Sequence, residues 1–149
     1  MAVPTAPPAV STAPPRLALE LVWENGTRLV GRSGANELPL DWDGREAFSP
    51  VQALALALAG CMASDIVTIL QKGRLPLRAL RVVLAAERAP AAPRRLLAVD
   101  LRFEVVGDVP ADRMERAIAL SRETYCSVWH SMRQDIAFTT SFEVRPDLA

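Results

Sequence analysis

The chain has 149 residues, half of them apolar, with 17 basic and 17 acidic side chains. That is enough apolar material for one domain core, and the charge is too balanced to favour nucleic acid or an anionic membrane surface as a partner. The basic residues are arginines except for Lys72, and alanine is abundant, a pattern that reads as composition bias and carries no function.

Residues 1–15 are rich in Pro and Ala and uncharged. They lack the basic start and apolar stretch of a secretory signal and are expected to form a loose tail before a single domain over 16–149. The longest apolar run, Ala53 to Ala63, has eleven residues, short of the roughly 20 that a membrane span needs. The expectation is a cytoplasmic protein without membrane association, in which two cysteines are more often free or redox-active than a permanent staple.

Leu17, Leu19, Leu21 and Trp23 alternate with Ala18, Glu20, Val22 and Glu24, and Asn25-Gly26 follows, which predicts a β-hairpin. A stretch rich in turn-forming residues from Gly31 to Gly44 leaves room for a short third strand. Ser49-Pro50-Val51-Gln52 is a helix start, with Ser49 as cap, Pro50 in the first turn and Gln52 reaching back as in a capping box. Ala53 to Leu58 alternates Ala and Leu, but both are strong helix formers and Ala is depleted in strands. The helix is expected to run to Lys72 and stop at Gly73, with Pro76 beyond. Its first half is apolar on every side, so it must be covered on every side. A second copy of the chain would supply that cover; the alternative is that the domain's own strands and second helix wrap the rod.

Leu80 to Glu87 and Leu96 to Val106 read as strands, the second with Leu97, Val99, Leu101, Phe103 and Val105 inward, and Pro90 and Pro93 mark the turn between them. Pro110 to Tyr125 places Met114, Ala117, Ile118, Ser121 and Tyr125 at helical spacing, an amphipathic helix. Ile136, Phe138, Thr140, Phe142 and Val144 alternate in a closing strand. The fold class is α+β, with element order ββ(β)-α-ββ-α-β and a long buried central helix.

Cys61 lies in the middle of that helix. Helical side chains tilt toward the N-terminus, which predicts that its sulfur faces Ala57, Leu58 and Leu54 more than Ser64 and Asp65, in dry surroundings. Two readings are open: an inert core thiol, or a reactive one that needs a cation from elsewhere, because a mid-helix position gains little from the helix dipole. Cys126 follows Tyr125 at the end of the second helix, where Ser127-Val128-Trp129-His130 could start another turn. The cysteines stand 65 positions apart, which gives no Cys-x-x-Cys motif and no zinc-ligand spacing. His130, the only histidine, either helps Cys126 to form a thiolate or is a surface residue. Asp65 and Asp135 form no obvious acid pair, and Gly-rich phosphate loops, nucleophile elbows, metal clusters and cofactor motifs are missing from the pattern.

The stretch from Ser49 through Gly60-Cys61-Met62-Ala63-Ser64-Asp65, together with Leu120-Ser121 to Tyr125-Cys126-Ser127-Val128, resembles the OsmC/Ohr family of osmotically inducible and organic-hydroperoxide-resistance proteins, over roughly Leu17 to Val144. The resemblance implies an intertwined OsmC-like homodimer with two long helices back to back and sites at the interface. It further implies a thiol-dependent peroxidase. In that chemistry a Cys61 thiolate attacks an organic hydroperoxide and becomes a sulfenic acid, Cys126 condenses with it to a disulfide, and a dithiol of lipoyl type reopens the bond. Peroxidases of the family usually carry Glu after the Pro that opens the long helix, and here that position is Val51. Glu46 could stand in for the carboxylate, with Arg45 or Arg32 as the activating cation; otherwise these three are an ordinary solvated loop. Two further functions stay open: a dimer that binds a small apolar molecule without peroxidase activity, and a dimer with purely structural core cysteines.

Overall fold

The computed structural model describes residues 12–146; most of the tail expected over 1–15 lies outside the described residues. In chain order it contains β1 (Glu20–Asn25), β2 (Arg28–Ser33), β3 (Asn36–Asp41), α1 (Pro50–Lys72), β4 (Leu77–Arg88), β5 (Leu96–Gly107) and α2 (Ala111–Leu120). A π turn (Ser121–Tyr125), a short α3 (Ser127–His130) and β6 (Ala137–Arg145) complete it. The expected α+β order is present, the third strand included.

The first sheet is an antiparallel meander, β1-β2-β3. Its leading hairpin turns at Asn25-Gly26, where Gly26 takes φ 50°, a left-handed conformation open to glycine at no steric cost, and the Trp23 indole N–H donates to the Gly26 carbonyl at 3.0 Å. The apolar residues of the alternation are not covered: Leu21 and Trp23 are 60% and 64% exposed. On β2 Val30 is buried, but among the described residues no layer covers the apolar side chains of β1.

The second sheet, β4-β5-β6, pairs β4 with β5 antiparallel and β5 with β6 parallel. Parallel neighbours need a crossover connection, here α2, the π turn and α3. The strand β4 starts at Leu77, three residues before the expected Leu80, because its edge pairing continues to Gly107 on β5. Gly107 has φ 141°, and a Cβ there would stand 2.2 Å from the Pro76 carbonyl oxygen, so only glycine fits this close approach.

The helix α1 starts as expected. Ser49 Oγ accepts from the Gln52 N–H at 3.2 Å and Gln52 Oε1 accepts from the Ser49 N–H at 2.9 Å, a complete capping box. It ends at Lys72, but the left-handed residue is Arg74 at φ 55°, not Gly73; a Cβ on Gly73 would meet the Arg113 guanidinium at 3.0 Å. Leu58, Met62, Ile66 and Leu70 recur every four residues and are buried, one stripe down the helix. They pack with Val99, Leu101, Phe103 and Val105 of β5 and Met114, Ala117 and Ile118 of α2 in one core.

By length and composition α1 could cross a membrane, yet this stripe makes it the core helix of the domain. Leu56, on the opposite face, is 50% exposed, and the stripe itself is uncovered at its start, where Leu54 is 44% exposed. The chain's own strands and second helix therefore do not wrap the rod. They cover one side of it, which is as much as one three-stranded sheet and one helix can reach.

Candidate functional site

The second helix does not run evenly to Tyr125. After Leu120 it widens, and the Cys126 N–H donates to the Ser121 carbonyl at 2.7 Å, a bond spanning five residues as in a π turn, a feature frequent at functional sites. One extra residue in the turn rotates the residues beyond it. Tyr125, expected on the inner face, is 57% exposed, and Cys126 takes the inner place with its side chain fully buried. The same residue caps α3, its sulfur accepting from the Trp129 N–H at 3.4 Å. Trp129 is in turn packed on Phe138, ring centroids 4.5 Å apart, with the Arg122 guanidinium 4.6 Å over the Phe138 ring, a cation–π contact that fixes the floor under Cys126.

Cys61 faces this turn. Its sulfur lies 3.7 Å from the Ser127 hydroxyl oxygen, and the sulfurs of Cys61 and Cys126 and a carboxylate oxygen of Asp65 all lie within 4.8 Å of one another. The buried Ser121 hydroxyl donates to Asp65 Oδ2 at 2.8 Å, so the carboxylate is held in place. The surroundings of Cys61 are thus half-open and polar, not dry as expected. The N-terminal tilt applies to more than Cys61: Asp65, one turn further on, tilts the same way and so leans back over the sulfur.

The two neighbouring thiols have pKa values shifted in opposite directions. Desolvation is the largest influence on Cys61 and opposes its ionisation, as does the negative charge of Asp65. The Val128 backbone N–H, the Cys126 thiol and the Ser127 hydroxyl together outweigh them, and the Cys61 pKa falls below the ordinary cysteine value. Cys126 is pushed up to about 11, chiefly by burial, with the neighbouring Cys61 sulfur adding to it and the Trp129 N–H opposing. Of the pair, Cys61 gives up its proton more readily than Cys126.

The other expected residues are elsewhere. Arg45 and Glu46 are exposed in the loop before α1, which the Asp41 carboxylate organises by accepting from the backbone N–H groups of Asp43, Arg45 and Glu46. The groups that act on the Cys61 sulfur are the Val128 N–H, Cys126, Ser127 and Asp65, and neither Arg45 nor Glu46 is one of them. Arg32 is paired with Glu37 at 3.0 Å on the outer sheet. His130 is exposed; its backbone N–H donates to the Cys126 carbonyl at 3.1 Å as part of α3, while the groups that act on the Cys126 thiol are Trp129, Cys61 and Asp65. The alternative of a surface histidine is therefore the one observed. Asp135 pairs with Arg133 and Arg95, whereas Asp65 is held by Ser121.

Two open grooves bear on the site. One, with about 410 Å³ of free space, meets the site at Asp65 and runs between Ile69, Lys72, Leu120 and Tyr125, with neither cysteine in its lining. The other, about 270 Å³ and mainly apolar, lies between the start of α1 and β4, lined by Val51, Ala55, Leu56, Leu84, Ala86 and Leu96; it does not reach Cys61. Asp65, Ser121 and Ser127 are the site residues that sequence reasoning missed, and the four-residue step from Cys61 to Asp65 was the available signal for the first of them.

The family model of OsmC-like proteins matches residues 43–141, a span that includes the whole of α1, the π turn and both cysteines. Protein YhfA of Escherichia coli K12 is 37% identical over 125 residues, covering 82% of this chain and 93% of YhfA. A solved protein of Aquifex aeolicus shares the fold at a TM-score of 0.81 and 22% identity, covering 87% of this chain and 96% of its own. An organic hydroperoxide resistance protein OsmC from Legionella pneumophila does so at a TM-score of 0.65 and 17% identity, covering 86% and 98%. By its family match and its likeness to YhfA, the chain belongs to the OsmC-like family.

Proposed function

We propose that the protein is a thiol-dependent peroxidase acting on organic hydroperoxides, with Cys61 as the nucleophile and Cys126 as the resolving thiol. Membership of the OsmC-like family supports a redox-related role for the pair. The observation that carries the finer reading is the asymmetry of two thiols brought within 4.8 Å of each other from distant parts of the chain, one with its pKa lowered and the other with its pKa raised.

A thiolate is needed to attack the distal peroxide oxygen; the O–O bond breaks, the alkoxide leaves and takes up a proton as alcohol, and Cys61 becomes a sulfenic acid. Cys126 then displaces hydroxide from that sulfur, its proton leaving with it as water, and a disulfide forms. The sulfurs need to close to about 2.05 Å, a movement within reach of side-chain rotation and a small shift of the π turn. A dithiol, of lipoyl type or smaller, restores the pair through a mixed disulfide. The apolar parts of the neighbouring groove, Ile69, Leu120 and Tyr125, favour an organic over an inorganic peroxide.

The working form in this reading is a cytoplasmic homodimer. An outer sheet exposed on Leu19, Leu21 and Trp23, and a central helix exposed on Leu54 and Leu56, are surfaces that a second chain would bury. Gly60 is exposed in mid-helix, at a cost of about 1 kcal/mol against Ala, and lets another backbone approach beside Cys61. Arg45, with Glu46 next to it, takes part only as a cation brought by the second chain; unchanged peroxide reactivity in Arg45→Ala would remove both from the site.

Steady-state consumption of tert-butyl hydroperoxide with a dithiol tests the assignment. Cys61→Ser is expected to abolish turnover, and Cys126→Ser to leave a single attack on peroxide but slow recycling by a dithiol. Turnover that survives in Cys61→Ser would end the reading. The mainly apolar groove at Val51 and Leu84 supports a second reading, a dimer that holds a small apolar molecule; a compound that co-purifies with unreactive thiols would favour it.

A further inference from the structure

Cys61 and Asp65 are four residues apart on α1 and so stand on one helix face, a turn apart. The π turn adds Cys126 from a second element. All three donor atoms lie within 4.8 Å of one another. A tetrahedral zinc ion, with Zn–S about 2.3 Å and Zn–O about 2.1 Å, holds neighbouring donors about 3.5–3.8 Å apart, so an adjustment of about 1 Å in side-chain torsions assembles the site.

Each donor also has a partner behind it. Ser121 donates to Asp65 Oδ2 at 2.8 Å, the Trp129 N–H to the Cys126 sulfur at 3.4 Å, and the Ser127 hydroxyl lies 3.7 Å from the Cys61 sulfur. Such outer partners orient metal ligands and tune them. The Asp65 carboxylate repels negative charge on the two sulfurs, and a divalent ion turns that repulsion into attraction. Two soft sulfurs with one carboxylate select zinc-like ions over magnesium or calcium. Cys61 and Asp65 are only partly buried, which leaves a fourth position open toward solvent, the arrangement of zinc sites that keep a water or ligand.

We propose that Cys61, Asp65 and Cys126 form a binding site for a thiophilic divalent ion of the Zn2+ class, with three protein ligands and an open fourth position. The inference does not rest on the peroxidase reading, since it requires two thiolates and a carboxylate and no peroxide. Metal and disulfide use the same sulfurs, so an occupied site and an oxidised pair exclude one another.

The test is anaerobic titration of the reduced, metal-free full chain with Co2+, followed by displacement with Zn2+. Expected are a thiolate-to-cobalt charge-transfer band and the strong visible bands of tetrahedral cobalt, saturating at one ion per chain. Asp65→Asn should weaken binding at least tenfold with charge transfer retained, and Ser121→Ala about tenfold through the freed carboxylate. Cys126→Ser should lose about half of the charge-transfer intensity. No charge-transfer band, or an affinity unchanged in Asp65→Asn, overturns the proposal; if that variant fails to fold, Ser121→Ala decides. Peroxide reactivity of the metal-free protein is measured in parallel, so either result can fail while the other stands.

Discussion

The sulfur of Cys61 is held between opposed influences: burial and Asp65 disfavour its charge, while Cys126, Ser127 and the Val128 N–H favour it. Each can be removed alone, and the signs differ. In the metal-free protein, Cys126→Ala takes away a donor to the thiolate, so the midpoint of Cys61 alkylation by iodoacetamide should move to higher pH. Asp65→Asn removes a like charge, and the midpoint should move to lower pH. Equal midpoints in the two variants would mean that neither group touches the thiolate. At this scale the sequence is only partly legible. Cys61 and Cys126 stand out, but their meeting depends on a π turn that no spacing rule announces, and the outward position of Tyr125 has the same cause. Asp65 is visible at four residues from Cys61, yet its contact with the sulfur emerges only when both side chains are given their lean toward the N-terminus.

The elements are more legible than the contacts between them. The capping box at Ser49 and Gln52, the helix to Lys72 and the alternation in β5 and β6 are local patterns, and local patterns are what periodicity reports. The parallel pairing of β5 with β6 and the length of β4 are set by neighbours distant in sequence and could not be read that way. The loop between β3 and α1 is organised by a single side chain. Asp41 is buried, and its pKa is lowered to about 2, first by a hydrogen bond from the Thr27 side chain and then by the backbone N–H groups of Glu46, Asp43 and Arg45. Since the folded value is depressed, the stabilisation is full above the unfolded carboxyl pKa of about 4 and is lost as pH falls toward 2. Thermal melts of Asp41→Asn should show a lower midpoint than the parent at pH 7 and a smaller gap near pH 2. A gap that stays constant with pH would mean that the carboxylate is not what holds the loop.

For the whole molecule, the outer sheet and the open face of α1 present apolar side chains that one chain leaves uncovered. The sequence points to this through a helix apolar all round, since a single small sheet can cover about one face, but it does not say which strands are left without a layer. Sedimentation should give a mass about twice the 16.2 kDa of the chain. Leu56→Asp, placed on the open face, should shift the protein toward monomer or aggregate while a substitution at the exposed Arg81 leaves its mass unchanged. A monodisperse monomer that stays soluble at high concentration would refute the dimer.

The central claim is that Cys61 and Cys126 are one redox pair, and mass spectrometry of the reduced protein after one equivalent of cumene hydroperoxide tests it most directly. The expected result is rapid loss of two hydrogens with a cross-linked peptide joining Cys61 to Cys126, and a trapped sulfenic acid on Cys61 in Cys126→Ser. Both thiols still free after many minutes, or oxidation that begins at Cys126, would contradict it.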